Sequence, residues 1–196
     1  MSVANLIEPT SYRAMPWRNG LGTTIELLKQ DLPDGDGFAW RLSMAEVATD
    51  GEFSNFSGYD RTLLLLEGNG LTLDCDGVSH RLEKPLQLAR FSGDEQTRAI
   101  LHDGPVKDFN IMARRRHCSA RVSSAIHPAE STLDVDGDIL LVYAVDGGLS
   151  LSGPDISTMS IPPAHLGVVQ DPARGSWLCR GASHIAVQIS HHPASV

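Results

Sequence analysis

One β-motif occurs twice in this chain, and the repeat limits what the chain can fold into. The first copy runs from Leu63 to Leu73 (LLLLEGNGLTL) and the second from Leu141 to Leu151 (LVYAVDGGLSL), an offset of 78 residues between Gly70 and Gly148. Each copy is an apolar strand, a short turn containing glycine, and a second strand alternating apolar with small polar residues. A repeat of that length in 196 residues predicts two similar all-β halves. The halves differ in polarity. The first is rich in polar residues placed to point inward, and the second reads as nearly bare of them, so a binding site is expected in the first.

Gly and Pro, 18 and 11 of them, are scattered between short apolar runs, the pattern of a sandwich or barrel. Strands are expected in the first half at 23–28, 38–47, 61–67, 70–75, 78–82, 86–91, 97–101 and 107–115. In the second half they are expected at 139–145, 149–152, 157–161, 166–170, 175–179 and 182–190. No segment shows a clear 3.6-residue period. Residues 118–138, with the polar stretch HPAES and the acidic turn DVDGD, read as the joint between the halves. The expected division is 1–120 for an N-terminal barrel carrying the pocket and 121–196 for a degenerate C-terminal barrel, with strands open to exchange between them.

A net charge of −8 counts against nucleic acid and anionic membrane as partners. Cys75, Cys118 and Cys179 are widely spaced, with no CxxC, and read as reduced thiols rather than a disulfide or zinc framework. The N-terminus lacks the basic and apolar segments of a signal peptide. No apolar run approaches the ~18–20 residues of a membrane span. The expected location is cytoplasmic. HxH, HExxH, GxSxG, P-loop and Rossmann patterns are absent, so no metal, cofactor or catalytic residue is assigned.

Four segments could carry binding chemistry. In FAWRLSMAEV, alternation puts Trp40, Leu42 and Met44 on one face and Arg41, Ser43 and Ala45 on the other. Arg41 either faces solvent or points inward, where it must be paired or ligand-bound. In DFNIMAR, Asn110 and Met112 share a face, and an Asn inside a strand serves a ligand or a local bulge. In PWRNGLGTT, Trp17, Asn19 and Gly20 could form a pocket lip, or a plain turn capped by tryptophan. Arg61 opens an otherwise apolar strand, which makes an inward orientation plausible, and Asp60 beside it reads as a surface ion pair.

The phrase LEGNGLTL, followed by Asp76-Gly77 and Pro85, looks like the central hairpin of a cupin. More specifically, the chain resembles the HutD/Ves family of bicupins. The resemblance rests on PWRNGxGxTxE (16–26), WRxSxAxV (40–47), DGxFSxFxGxxR (50–61), FSGD (91–94) and DFNxMxRR (108–115). Leu21 stands where the family typically has a third glycine, which narrows the backbone's freedom there. The resemblance implies an all-β bicupin of two jelly-roll-like barrels packed together, without metal or other cofactor. It also implies a cytosolic bacterial protein that binds a histidine-degradation intermediate, such as N-formylglutamate, formiminoglutamate or urocanate, and restrains that pathway. The expected ligand-binding residues are Trp17, Asn19, Gly20, Arg41, Ser43, Arg61, Asn110 and Met112. The expected partner is a small anionic metabolite, with a homodimer possible. The alternatives are a metal-free cupin enzyme acting on a formyl or formimino amino acid, with Glu26 or Asp60 as acid/base, and a protein-interaction module.

Overall fold

The computed structural model describes residues 2–17 and 22–193. Its regular structure is β, apart from a short 3-10 turn at Pro9–Ser11. In chain order the strands are β1 (Val3–Ile7), β2 (Arg13–Pro16), β3 (Gly22–Asp31), β4 (Phe38–Val47), β5 (Gly51–Glu52), β6 (Tyr59–Glu67), β7 (Leu71–Cys75), β8 (Val78–Leu82), β9 (Leu88–Ser92) and β10 (Thr97–Leu101). They continue as β11 (Val106–Arg114), β12 (Cys118–Ala125), β13 (Glu130–Val135), β14 (Ile139–Ala144), β15 (Leu149–Ser152), β16 (Met159–Ile161), β17 (Leu166–Gln170), β18 (Gly175–Gly181) and β19 (His184–His191). Among the described residues, no helix is long and apolar enough to cross a membrane.

The chain divides into two compact units, Tyr12–Cys118 and Met1–Ser11 with Ser119–Val196. Residues 1–11, placed by the sequence with the N-terminal barrel, therefore belong to the other unit. The cause is β1, which pairs antiparallel with β17 from Val3 opposite Gln170 to Ile7 opposite Leu166.

Each unit is a two-sheet jelly roll. In the Tyr12–Cys118 unit the sheets run β2-β3-β4-β11-β6-β9 and β5-β10-β7-β8. In the other they run β1-β17-β14-β19-β12 and β13-β18-β15-β16. The order β4-β11-β6-β9 recurs as β12-β19-β14-β17, and β5-β10-β7-β8 recurs as β13-β18-β15-β16. The eleven-residue repeat is thus the visible part of an eight-strand repeat. Leu71 and Leu149, Leu88 and Leu166, Thr97 and Gly175, and Val106 and His184 each open equivalent strands at the same offset.

Two sequence expectations need correction. The repeated motif is not a hairpin, because β6 and β7 lie in different sheets, as do β14 and β15. Its glycines carry the chain from one sheet across to the other. Gly68 and Gly70 have φ of 102° and 112°, and a Cβ on Gly70 would meet the Leu82 carbonyl oxygen at 2.5 Å. The region read as a joint, 118–138, does begin where the units divide, at Cys118 and Ser119, but it is not a plain loop, since it holds β12 and β13. Few of their side chains are buried, so the hydrophobic alternation that marks a strand is faint.

In the Tyr12–Cys118 unit, Val47, Leu63, Leu65, Ala89 and Phe91 of the larger sheet meet Leu71, Leu73, Cys75, Leu82 and Ala99 of the smaller one. The opposite face of the larger sheet is apolar and buried as well, through Leu42, Leu64, Phe109 and Ile111. Its central strands are therefore buried on both faces, and any polar side chain on the inner face is withdrawn from water. The second unit has its own core around Trp177, Leu140, Val142, Leu151 and Ile161.

The sheet-crossing turn yields a direct test. Gly70→Ala is expected to lower unfolding stability by about 1–3 kcal/mol, measured by urea denaturation. Gly51→Ala, where an added Cβ meets open space, is expected to change it by less than about 0.5 kcal/mol.

Candidate functional site

Residues directly opposite in an antiparallel ladder share a face. Met112 on β11 stands opposite Arg41 on β4 and opposite Arg61 on β6. Arg61 in turn stands opposite Phe91 on β9. These residues form one row across the inner face. The next row along the strands is Glu26, Ser43, Asn110, Leu63 and Ala89. The row after that is Thr24, Ala45, Asp108 and Leu65. Three side chains on alternate positions of β11, the polar Asp108 and Asn110 and the thioether of Met112, thus line one strip, with Arg41 and Arg61 on either side of its end.

Arg61 is buried, at 5% exposure, and Arg41 is half-buried, with its Nε atom out of contact with solvent. Among the described residues neither forms a salt bridge. Lys29, opposite Arg41 on β3, is by contrast paired with Asp31 at 2.6 Å. Aromatic rings surround the guanidiniums instead. Arg41 lies 5.0 Å from the Phe38 ring centre and 5.3 Å from that of Phe56. Arg61 lies 4.8 Å from Phe91 and 5.5 Å from both Phe53 and Phe56. A cation–π contact contributes about 0.5–2 kcal/mol, most when desolvated, but it satisfies no N–H donor. Arg41 Nε and Arg61 Nε are buried without an acceptor. The remaining contacts are weak: Arg41 Nη2 reaches the Met112 sulfur at 3.5 Å, and Arg61 Nη1 donates to the Ser54 carbonyl at 3.3 Å.

Electrostatics follow from this packing. Burial lowers the Arg41 pKa, opposed by attraction to Glu26 and Tyr59. Burial lowers that of Arg61 to about 10; attraction to Asp108 opposes this and the nearby Arg41 adds to it. Both remain cations at neutral pH. Asp108 is fully buried, and burial raises its pKa to about 7 against the attraction of Arg61 and a hydrogen bond from the Ala45 backbone. One of its oxygens, Oδ1, has no donor, and neither has Asn110 Oδ1. A cluster of buried, unsatisfied donors and acceptors costs stability unless something else satisfies it. Its chemistry suits a small carboxylate, which two guanidiniums can bind through paired N–H donors.

The loop between β5 and β6 brings Phe53 and Phe56 over the arginines. Phe56 N–H donates to the Gly93 carbonyl, and Gly93 N–H to the Tyr59 carbonyl, each at 2.8 Å. Gly93 permits this approach, since a Cβ there would lie 2.2 Å from the Phe56 carbonyl oxygen. Asp94 pins the same loop. It accepts from Ser57 Oγ at 2.6 Å, from Gly58 N–H at 2.8 Å and from Ser92 Oγ at 3.0 Å, and it pairs with Arg115. These hydrogen bonds hold its pKa down, at about 2.

The structure brings together five of the eight residues expected from sequence: Arg41, Ser43, Arg61, Asn110 and Met112. Trp17 is not in the arginine row or the one beside it. Its indole Nε1 donates to Thr24 Oγ1 at 2.8 Å, and it packs on the core beside the Thr24 row. Asn19 and Gly20, with Leu21, lie outside the described residues. Asp60 pairs with Arg115 at 2.8 Å on the exposed side. Sequence reasoning missed Asp108, which shares the parity of Asn110 and Met112. It also missed Phe53, Phe56 and Asp94, which act through a loop that has no periodicity to read. Among the described residues, no group of three or more His, Cys, Asp or Glu side chains is arranged to hold a metal ion.

In the second unit, Gln188 stands at the repeat offset from Asn110. It is a buried polar residue that the sequence reading missed, and it is fully engaged. Its Oε1 accepts from Arg121 Nη2 at 2.9 Å and from Asp136 N–H at 3.1 Å, and its Nε2 donates to the Asp134 carbonyl at 2.9 Å.

The fold and this inner face define a class: an all-β bicupin with a cationic, aromatic-caged strip in one of its two barrels. A cupin 2 conserved barrel protein from Leptotrichia buccalis superposes at a TM-score of 0.50 with 12% identity, over 87% of this chain and 89% of its own. The HutD family profile matches residues 9–187, and the chain belongs to that family. An uncharacterized 21.2 kDa protein in the hutC 3′ region of Pseudomonas putida is 31% identical over 82% of this chain and 85% of its own length. Protein Ves of Escherichia fergusonii is 44% identical over 58% of this chain and 61% of its own. The structure of HutD from Pseudomonas fluorescens SBW25, in a formate condition, superposes at a TM-score of 0.85 with 26% identity, over 97% of this chain and all of that one.

Two outcomes test the electrostatics. The Asp94 clamp stabilises the fold above the unfolded-state pKa of an aspartate and loses that effect as pH falls towards 2. Asp94→Asn is therefore expected to speed hydrogen exchange at the Phe56 amide at pH 7, and to narrow the gap from wild type in strong acid. Asp108 has the opposite sign. Its raised pKa means the folded state binds more protons, so stability is lost between about pH 4 and 7. Asp108→Asn should flatten that part of the stability–pH curve.

Proposed function

We propose that this protein is a small-molecule receptor whose Tyr12–Cys118 unit binds a small carboxylate at the Arg41–Met112–Arg61 row. The ligand we favour is a histidine-degradation intermediate, a formylglutamate-like anion, and the bound state modulates histidine utilisation. One observation carries the reading: two guanidiniums flanking Met112 are packed among phenyl rings, with no salt bridge to either among the described residues and with both Nε atoms buried and unsatisfied. Buried charge of that kind is costly unless a counter-ion arrives. Ser43 and Asn110 in the adjoining row add polar groups for the rest of the ligand. Membership of the HutD family and the hutC-region relative support the link to histidine utilisation. The formate condition of the Pseudomonas fluorescens HutD structure fits a site made for a carboxyl group.

Isothermal titration and thermal shift with formate and N-formylglutamate test this. A carboxylate at a hundredfold excess over its Kd should stabilise the wild type by about 2.7 kcal/mol. Arg41→Met and Arg61→Met should each weaken binding by at least about tenfold, the loss expected for a charge-assisted hydrogen bond. Neither variant should lose the fold, because each removes a buried charge. Affinity unchanged in both variants would sink the proposal.

A further inference from the structure

We infer that carboxylate binding at this site is proton-coupled: Asp108, the buried carboxyl two rows along the same strip, takes up a proton when an anionic ligand arrives. This rests on the reading of the arginine row as an anion site. Asp108 lies on the same face of β11 as Asn110 and Met112, two rows along the strand from Met112. It is 1% exposed. Among the described residues it forms no salt bridge, but Arg61 is the basic group that attracts it. The attraction is mutual, since Asp108 is the leading stabiliser of the Arg61 cation. Both partners are thus held in a dry interior, each short of a hydrogen bond at Arg61 Nε and Asp108 Oδ1.

An incoming carboxylate brings a further negative charge to the guanidinium that attracts Asp108. Once it sits on Arg61, the field that kept Asp108 ionised is neutralised, and a second negative charge stands nearby. Both changes favour the neutral carboxyl. A proton from solvent binds Asp108, with the partnerless Oδ1 able to carry it, and no other bond forms or breaks. The site therefore takes up carboxylate and proton together, the equivalent of the free acid.

The groups able to share the effect are few. On β11 the same face otherwise carries Asn110 and Met112. From β6 comes Arg61, flanked by Leu63 and Leu65. From β4 comes Arg41, with Ser43 and Ala45, and from β3 Glu26 and Thr24. From the facing sheet comes Cys75, whose thiol is raised mainly by burial. β9 presents Phe91 and Ala89.

The sign follows from linkage. In the free protein Asp108 titrates at about 7. Below that pH it is already neutral, and affinity is flat until the ligand's own carboxylate protonates. Above it, binding must import a proton, and affinity falls by up to about tenfold per pH unit until the bound-state pKa is passed.

Titration calorimetry of formate at about pH 7.5, in phosphate and in Tris, measures proton uptake from the difference in buffer ionisation heats. Wild type should take up about half to three-quarters of a proton per formate at that pH, and bind several-fold more weakly at about pH 8.5. Asp108→Asn should show no uptake and a flat profile, while Cys75→Ala should keep the wild-type behaviour. Should Asp108→Asn fail to fold, infrared difference spectra of wild type replace it, with a protonated-carboxyl C=O band growing in on formate addition. Formate binding without uptake, or uptake persisting in Asp108→Asn, overturns the coupling alone. Failure of formate to bind wild type at any pH overturns the anion site and the coupling with it.

Discussion

Two guanidinium groups, on either side of Met112 and without a salt bridge to either among the described residues, are the constraint around which the Tyr12–Cys118 unit is arranged. Charge in a low-dielectric interior is tolerated only where neighbouring groups offset it. Here the offset is partial and spread over several elements. Phe38, Phe56, Phe53 and Phe91 present ring faces to Arg41 and Arg61. Glu26 attracts Arg41 from the adjoining row, and Asp108 attracts Arg61 from the row beyond it. The loop carrying two of the rings is fixed by Asp94 and by the tight passage over Gly93. What remains unsatisfied is the N–H donor capacity that a carboxylate supplies an acceptor for.

The repeat sharpens this reading by providing an internal comparison. The same eight-strand order is built twice, yet the polar positions have diverged. In one unit Asn110 leaves its oxygen unpaired beside two arginines. In the other Gln188 is locked into hydrogen bonds with Arg121 and the backbone around Asp136. The fold therefore does not by itself demand unsatisfied polar groups on its inner face. Where they occur, they belong to a site.

Much of this was legible in the sequence. The repeat announced two β units, and alternation within FAWRLSMAEV placed Arg41 and Ser43 on one face. Register was not legible, because local pattern does not say which strand lies beside which. Only the ladder shows that Met112 stands between Arg41 and Arg61. The LEGNGL turn looked like a hairpin because a sheet-crossing turn uses the same glycines. β12 and β13 were hidden because few of their side chains are buried. Asp108 went unnoticed because an acidic residue near a strand end normally reads as solvated, and its burial arises from the sheet packed opposite.

The central claim is that Arg41 and Arg61 are the anion receptors. Arginine Nε–Hε resonances, assigned with Arg41→Lys and Arg61→Lys, report on it directly during a titration with formate. The account predicts that the two assigned resonances shift together and saturate while the other arginines stay still. Formate binding that leaves both resonances unmoved would contradict it.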